Sequence, residues 1–507
     1  MEILTMKTKI FLISALTVGL GLGVASCDSY LDINQDPNSP TDENVTTSMV
    51  MPGAEMAIAQ HYGDFLRLTG GYFAQYYAQQ FGTSNYIDYS RFNMSASRSS
   101  RTYTELYQKA LNNLKNVSDR ATAQGDMGTV LAATTLRAFV FQVLVDCYGS
   151  VPYTEALNPE ILAPHYDEGL TVYQGILAEL DAALAQTDAA ASVCTNFLFP
   201  NESADSWIKF AKALKLKILM RMSDVQDVQS QLSALVSEGD FPTADIAWAN
   251  CWADEAEKRS PLYSEEFAPG QQQNLVANLA IVNSMQVRNS MGNIEYTDPR
   301  LAVYFNSNKQ GNYEGSIGGA TYTQTQVYNG DYWCRPNVTY DEPVSLISVA
   351  ETEFFLAEYY ARYGSESDAA AHYAAAVEAS FASAGVEGAD EYLARNPYDN
   401  ANYRQCIGVA KWIALAGSNG FEAWCEVRRL GYPAFGTAQG SDFYNNTDES
   451  FDTSSYVAGT LYTPFQVFGQ VGANQLLARF PYPEDSSSRN SNVPDFPGYT
   501  VPVFWAE

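Results

Sequence analysis

Apolar residues recur at helical spacing along much of this chain. In the run 131–148 (LAATTLRAFVFQVLVDCY), Leu136, Val140, Val143, Leu144 and Cys147 fall on one stripe, and the pattern stops at Gly149 and Pro152. The same periodicity predicts helices over 104–117, 170–185, 206–223, 350–363, 368–383 and 404–416. Short turns separate several of them, so antiparallel helix pairs are expected.

One pair follows a repeat template. Leu356-Ala357-x2-Tyr360, a Gly364 turn, then Ala369-x3-Tyr373 with Ala376 one turn on, is the small-and-aromatic pattern of a tetratricopeptide hairpin. The usual tryptophan and closing proline are absent, so the repeat is degenerate. Between the helical runs, residues 82–100, 249–340 and 434–507 are rich in Gly, Asn, Ser, Tyr and Pro and lack helical period. Loops this long in a compact protein carry function or are disordered, and their aromatic content argues against disorder.

The amino terminus has a different pattern. Lys7 and Lys9 precede the uncharged apolar run Ile10 to Val24, the layout of a secretory signal, and the run ends in Val24-Ala25-Ser26-Cys27. Small residues just before a cysteine look like the lipobox of a bacterial lipoprotein. Residues 1–26 are therefore expected to be a lipoprotein signal peptide, with Cys27 the lipidated first residue of the mature chain. Several acyl chains on one residue make a stable anchor. No later stretch reads as long and apolar enough for a membrane helix, which predicts one soluble body over 27–507.

Charge narrows the partners. The formal net charge is −29, or −30 once residues 1–26 are removed, which disfavours nucleic acid and anionic lipid. Six cysteines follow Cys27, at 147, 194, 251, 334, 406 and 425, with no C-x-x-C. Cys147, Cys406 and Cys425 lie in helix-like apolar runs and read as buried thiols. A disulfide among Cys194, Cys251 and Cys334 stays open.

Asp32, Asn34, Asp36 and Asn38 alternate, and Glu43 sits where a calcium loop would end. Pro37 occupies the position where that loop needs glycine, so a turn-forming linker is the favoured reading and a structural calcium the alternative. No other cofactor or metal is called for. Catalytic signatures are thin: three histidines, His61, His165 and His372, occur without H-E-x-x-H, G-x-S-x-G or a phosphate loop. Ser206-x-x-Lys209 reads as a coincidence at a helix start. The basic strip Lys209, Lys212, Lys215, Lys217 and Arg221 is expected to be a solvated helix face, and Arg428-Arg429 to pair with nearby acids.

Segments in order along almost the whole chain resemble the SusD/RagB family of nutrient-binding outer-membrane lipoproteins of Bacteroidetes. They include CDSYLD (27–32), LRAFVFQVLVDCYGSVPYTEAL (136–157), SWIKFAKALKLKILMRMS (206–223), Asp298-Pro-Arg300, ETEFFLAEYYAR (351–362), KWIALAGSNGFEAWCEVRRLGYP (411–433) and RFPYPEDSSSRN (479–490). The ending Val503-Phe-Trp-Ala-Glu507 departs from the Trp-Trp-Asp type of finish.

The resemblance implies a mostly α fold with four tetratricopeptide-like helix pairs and a loop-rich face that captures glycans or, in some relatives, peptides. It also implies a SusC-like TonB-dependent transporter as partner at the outer membrane, facing the cell exterior. A surface-anchored glycoside hydrolase is the enzymatic alternative. Sugar recognition needs flat aromatic faces for C–H groups and amide, acid or Arg groups for hydroxyls. Two loops supply both: Asn85, Tyr86, Tyr89 and Arg91, and Tyr328, Asn329, Asp331, Tyr332, Trp333 and Arg335, with Tyr296 and Tyr322 as weaker additions. The alternative for each aromatic residue is packing of its loop onto the helices.

Overall fold

The computed structural model describes residues 44–80, 82–289, 291–320, 331–445, 447 and 450–506. The signal segment, Cys27 and the Asp32 to Glu43 stretch lie outside them. From Thr47 on, the described chain is mostly α, and its sheets are small two-stranded pieces.

Four consecutive helix pairs form the frame. The first joins α4 (Asn112–Gln124) to α5 (Met127–Tyr148), with Gly125 in the left-handed region and Asp126 capping Thr129 N. The second is α6 (Gly169–Gln186) with α7 (Ala204–Met222). The third is α8 (Val349–Tyr363) with α9 (Glu366–Ser383), and the fourth α10 (Tyr403–Leu415) with α11 (Gly420–Leu430). Ser203, Ser348 and Ser365 cap α7, α8 and α9. In the third pair Leu356, Ala357, Ala369, Tyr373 and Ala376 are buried as the repeat spacing predicts, and Tyr360 stacks on His372 with centroids 5.0 Å apart.

Two elements depart from the sequence expectation. Thr47 to Phe73 forms one helical run: α1 (Thr47–His61), a π-helical turn at Tyr62–Leu66, and α2 (Arg67–Phe73). Pro52, Gly63, Gly70 and Gly71 make it look broken, but the glycines serve packing. A Cβ on Gly70 would stand 2.5 Å from the Gly420 carbonyl oxygen and the Phe421 Cα, so α2 and α11 meet backbone to backbone. Gly70→Ala is expected to cost about 1–3 kcal/mol by forcing these helices apart, read as a lower denaturation midpoint; an unchanged midpoint would contradict the close crossing.

The second departure lies in 82–100, where α3 (Ala96–Tyr103) starts on a Ser95 cap and continues through a π-helical stretch, Thr104–Leu111, into α4. The predicted helix at 104 is thus the middle of a longer one.

The stripe on α5 is also too narrow a reading. This helix is buried on nearly every side, and by length and composition alone it could cross a membrane, contrary to the sequence expectation. Its place at the centre of the bundle marks it as a core helix.

The basic strip corrects a further expectation. Lys209, Lys212 and Lys215 do pair with acids near the surface, Asp205, Glu238, Asp240 and Asp181. Lys217 and Arg221 are instead fully buried where α5, α7, α8, α10 and α11 converge. The Lys217 Nζ lies 2.7 Å from Glu351 and 3.1 Å from Glu422. Arg221 reaches Asp146 and Glu422. Arg429 holds Glu358 at 2.5 Å and Glu426 at 2.7 Å, and Lys411 holds Glu426 at 3.0 Å. Arg428 differs from the expected acid pairing: it lies over the Trp424 ring at 3.5 Å and donates to the carbonyls of Asp146 and Ala478. The unusual tail has a place here too, since Trp505 Nε1 donates to Asp146 Oδ1 at 2.8 Å.

Burial alone would raise the Glu422 carboxyl, but Arg221 and Lys217 outweigh it and hold it at about 2; Arg429 holds Glu358 and Glu426 below the usual range in the same way. His61, buried against Thr102 with Nε2 3.0 Å from Oγ1, is pushed down to about 3. All four pKa values lie below those of the unfolded chain, so their stabilising contribution is present at neutral pH. It is lost as pH falls, from about 6.5 downward for His61 and from about 4.5 toward 2 for the glutamates. Burial shifts Glu351, Glu55 and Asp64 the other way, to about 7, so their contribution grows as pH falls from about 7 toward 4.5 and opposes that of His61. The melting temperature is therefore expected to fall steadily only below about pH 4.5, and a flat profile from there toward 2 would contradict the network.

The six described cysteines are free. Cys147 and Cys425 are buried as expected, whereas Cys406 is only partly covered.

Candidate functional site

The two aromatic loops lie on either side of one small sheet. Strand β1 (Tyr77–Gln79) pairs antiparallel with β2 (Leu275–Ala277), in register Tyr77 to Ala277, Ala78 to Val276 and Gln79 to Leu275. Beside them, Ala277 N donates to the Cys334 carbonyl at 2.9 Å, just before β3 (Arg335–Pro336). The first loop leaves β1 and the second enters β3, so segments separated by some 250 positions in sequence flank the same strand, β2.

On the first loop, Asn85 is exposed and Tyr86 half-buried. The Tyr86 backbone N–H donates to Gln79 Oε1 at 2.8 Å. Its ring lies parallel to Tyr89, centroids 5.8 Å apart, and its hydroxyl bonds to Glu266; burial first, then this carboxylate, pushes that hydroxyl's pKa upward. Tyr89 is buried, with Arg98 of α3 donating to its hydroxyl at 3.1 Å and to the Asn85 carbonyl at 3.3 Å. Tyr89 thus fastens the loop to α3 and presents little surface. Arg91 is half-buried, and its carbonyl accepts from Phe468 N at 2.8 Å.

On the second loop, Tyr328 and Asn329, with Tyr322, lie outside the described residues. Asp331 is exposed and ion-paired with Lys309 at 2.6 Å. Tyr332 is half-buried and meets Trp333 edge to face at 4.8 Å. Trp333 is only 3% exposed, packed with Ala78 and Val276 over the sheet and against Phe451 at 5.3 Å. It holds the loop down, as the packing alternative had it. Arg335 is half-buried and donates to Gln273, which sits in the exposed run Gln271 to Gln273 beside β2.

Beside β1 the first loop therefore presents Asn85 and Tyr86, and beside β2 the second presents Asp331, Tyr332 and Arg335 with Gln273: in each, an aromatic ring among polar groups. Glu266, Gln273 and Lys309 were not singled out from the sequence; only Gln273 carries a signal there, the amide run 271–274. Tyr296 is elsewhere, beneath Arg395 at 4.4 Å in a cleft formed with α9 and α10. The neighbouring Asp298-Pro-Arg300 motif is structural, with Arg300 forked onto Asp298 between the Phe381 and Tyr392 rings.

The residues that resemble catalytic ones have other partners. Ser206 donates to Glu202 and Lys209 to Asp205, not to each other. His165 pairs with Glu155 and His372 with Glu353. Among the described residues no group of His, Cys, Asp and Glu is arranged to hold a metal ion.

Comparison with known proteins agrees with the fold. No curated protein matches the chain in sequence. A SusD homologue from Bacteroides uniformis superposes with a TM-score of 0.72 at 21% identity, over 91% of this chain and 99% of that one. A chitin-binding SusD homologue from Flavobacterium johnsoniae gives 0.68 at 19% identity, over 91% and 96%. A SusD-like protein from Bacteroides thetaiotaomicron gives 0.67 at 19% identity, over 88% and 93%. Residues 37–450 match the SusD-like family described as "Starch-binding associating with outer membrane". With that match over most of its length and four helix pairs behind a loop-rich face, the chain belongs to the SusD-like family of binding proteins.

Proposed function

We propose that this protein captures an oligosaccharide without covalent chemistry at the two loops that flank the β1–β2 pair. The observation that carries the reading is that the two loops flank one strand pair, Asn85 and Tyr86 beside β1 and Asp331, Tyr332 and Arg335, with Gln273, beside β2, each loop with aromatic and polar groups not fully buried. Aromatic rings would take the C–H faces of sugar rings, and the polar groups their hydroxyls. The family's starch-binding description and the chitin-binding relative support a glycan over a peptide.

On this reading Cys27 carries the lipid anchor, the body faces the cell exterior, and the ligand passes to a SusC-like TonB-dependent transporter. Neither a cofactor nor a catalytic step is required. The test is calorimetric titration with chito- and malto-oligosaccharides. Tyr332→Ala and Asn85→Ala are each expected to weaken binding about fivefold to tenfold, the equivalent of about 1–1.4 kcal/mol. Unchanged affinity in both variants would remove these loops from the site, and binding of peptides alone would overturn the ligand class.

A further inference from the structure

A second surface has the same chemistry as the two loops and lies along the helix that holds the first. A cleft of about 470 Å³ runs beside the π-helical stretch Thr104–Leu111, between it, the 152–166 segment and the 483–490 segment. Its volume lies within the range of small-ligand clefts, about 300–1,000 Å³.

The half-buried rings of Tyr103 and Tyr107 form one wall, centroids 4.5 Å apart and tilted by 38°. Both are fixed from behind. The Tyr103 hydroxyl lies 3.0 Å from that of Tyr166, and the Tyr107 hydroxyl donates to the Pro152 carbonyl at 2.6 Å. Tyr103 meets Tyr148 edge to face at 5.7 Å, and Tyr107 meets Phe141 in the same way at 6.2 Å. Rings held in this manner lose little freedom when a ligand arrives. Exposed Gln108, Asn112, Asp485 and Arg489 stand around them. One acid and one base among amides favour a neutral, hydroxyl-rich ligand over an ion.

The backbone gives a second, independent pointer. π-Helical turns are rare inside helices and concentrate at functional sites. The continuous helix that carries this one begins at Ala96, and its Arg98 holds Tyr89 and Asn85 of the first loop. From Arg98 to Gln108 the helix advances about 15 Å at about 1.5 Å per residue. That is the span of a few linked sugar rings.

We infer that this cleft is a second carbohydrate subsite, which takes the continuation of a glycan chain held at the loops. The inference rests on the glycan-capture reading. Occupying both places with one chain makes the second contact intramolecular, so affinity should climb with chain length.

The test measures dissociation constants of the chain lacking residues 1–27 for dimers, trimers, hexamers and heptamers of the chito- and malto-series. Hexamers and heptamers of the bound series are expected to bind at least about tenfold tighter than trimers. Tyr107→Leu should bring the long chains down to the trimer level and leave trimer affinity unchanged. The exposed pair Gln108→Ala with Arg489→Ala, which touches no core packing, should do the same in part.

Equal affinity for trimers and heptamers in the wild type, or loss of short and long chains alike in the Gln108 and Arg489 variant, would overturn the second subsite. In that case the trimer loss in Tyr332→Ala would still uphold the first. A wild type that binds neither series would overturn both.

Discussion

Replacing Arg221 by methionine is expected to cost the folded protein about 3–5 kcal/mol, a large share of the roughly 5–15 kcal/mol that separates a folded domain from its unfolded chain. The guanidinium is fully buried, joins Asp146 of α5 to Glu422 of α11, and lies over the Trp505 ring at 5.4 Å. Methionine fills much of the space but leaves two carboxylates in the interior short of a cation. Desolvation of unpaired charge, more than lost attraction, sets the size of the effect. Adding Glu422→Gln to Arg221→Met should recover part of the loss, because it removes one stranded charge. A denaturation midpoint lowered by the equivalent of less than about 1 kcal/mol would show that the network adapts to the loss.

Trp333→Ala is expected to destabilise the protein by about 3–5 kcal/mol, the usual cost of emptying a large aromatic site. Its neighbour should behave differently: Tyr332→Ala should change stability far less and reduce glycan affinity instead. The two residues are adjacent in sequence and touch the same small cluster, but Trp333 is buried within it, on Ala78 and Val276, whereas Tyr332 packs on its outside and stays partly exposed. Thermal unfolding of both variants, with titration of each, checks the division. Equal loss of stability in both would make Tyr332 part of the packing and remove it from the site.

These two residues also show where sequence reading reaches its limit. Composition marks 331–335 as a loop able to bind sugars, but aromatic residues that pack and those that bind share the same chemistry. Only the pairing of β1 with β2, and of β2 with the 334 carbonyl, decides which ring lies beneath. Lys217 and Arg221 pose the same problem: a helical strip of cations looks alike whether its partners are water or carboxylates on three other helices.

Helices with periodic apolar faces were legible, and so was the third pair, because small and aromatic residues alternate there at fixed spacing. The Thr47 to Phe73 run was not, because Gly70 and Gly71 look like breakers until the Gly420 backbone is brought against them. Its departure follows from tertiary packing that outweighs local propensity. The family resemblance, carried by ordered motifs from the amino terminus to Asn490, foresaw the four helix pairs that periodicity alone had only sketched.

Capture without turnover is the central claim, and depletion tests it most directly. Purified chain lacking residues 1–27 would be incubated with a panel of polysaccharides, oligosaccharides and a peptide digest, and both depletion and new products followed in solution. We expect one glycan class to be withdrawn from solution with no new product. Release of shorter sugars, or depletion of peptides with every glycan left in solution, would contradict it.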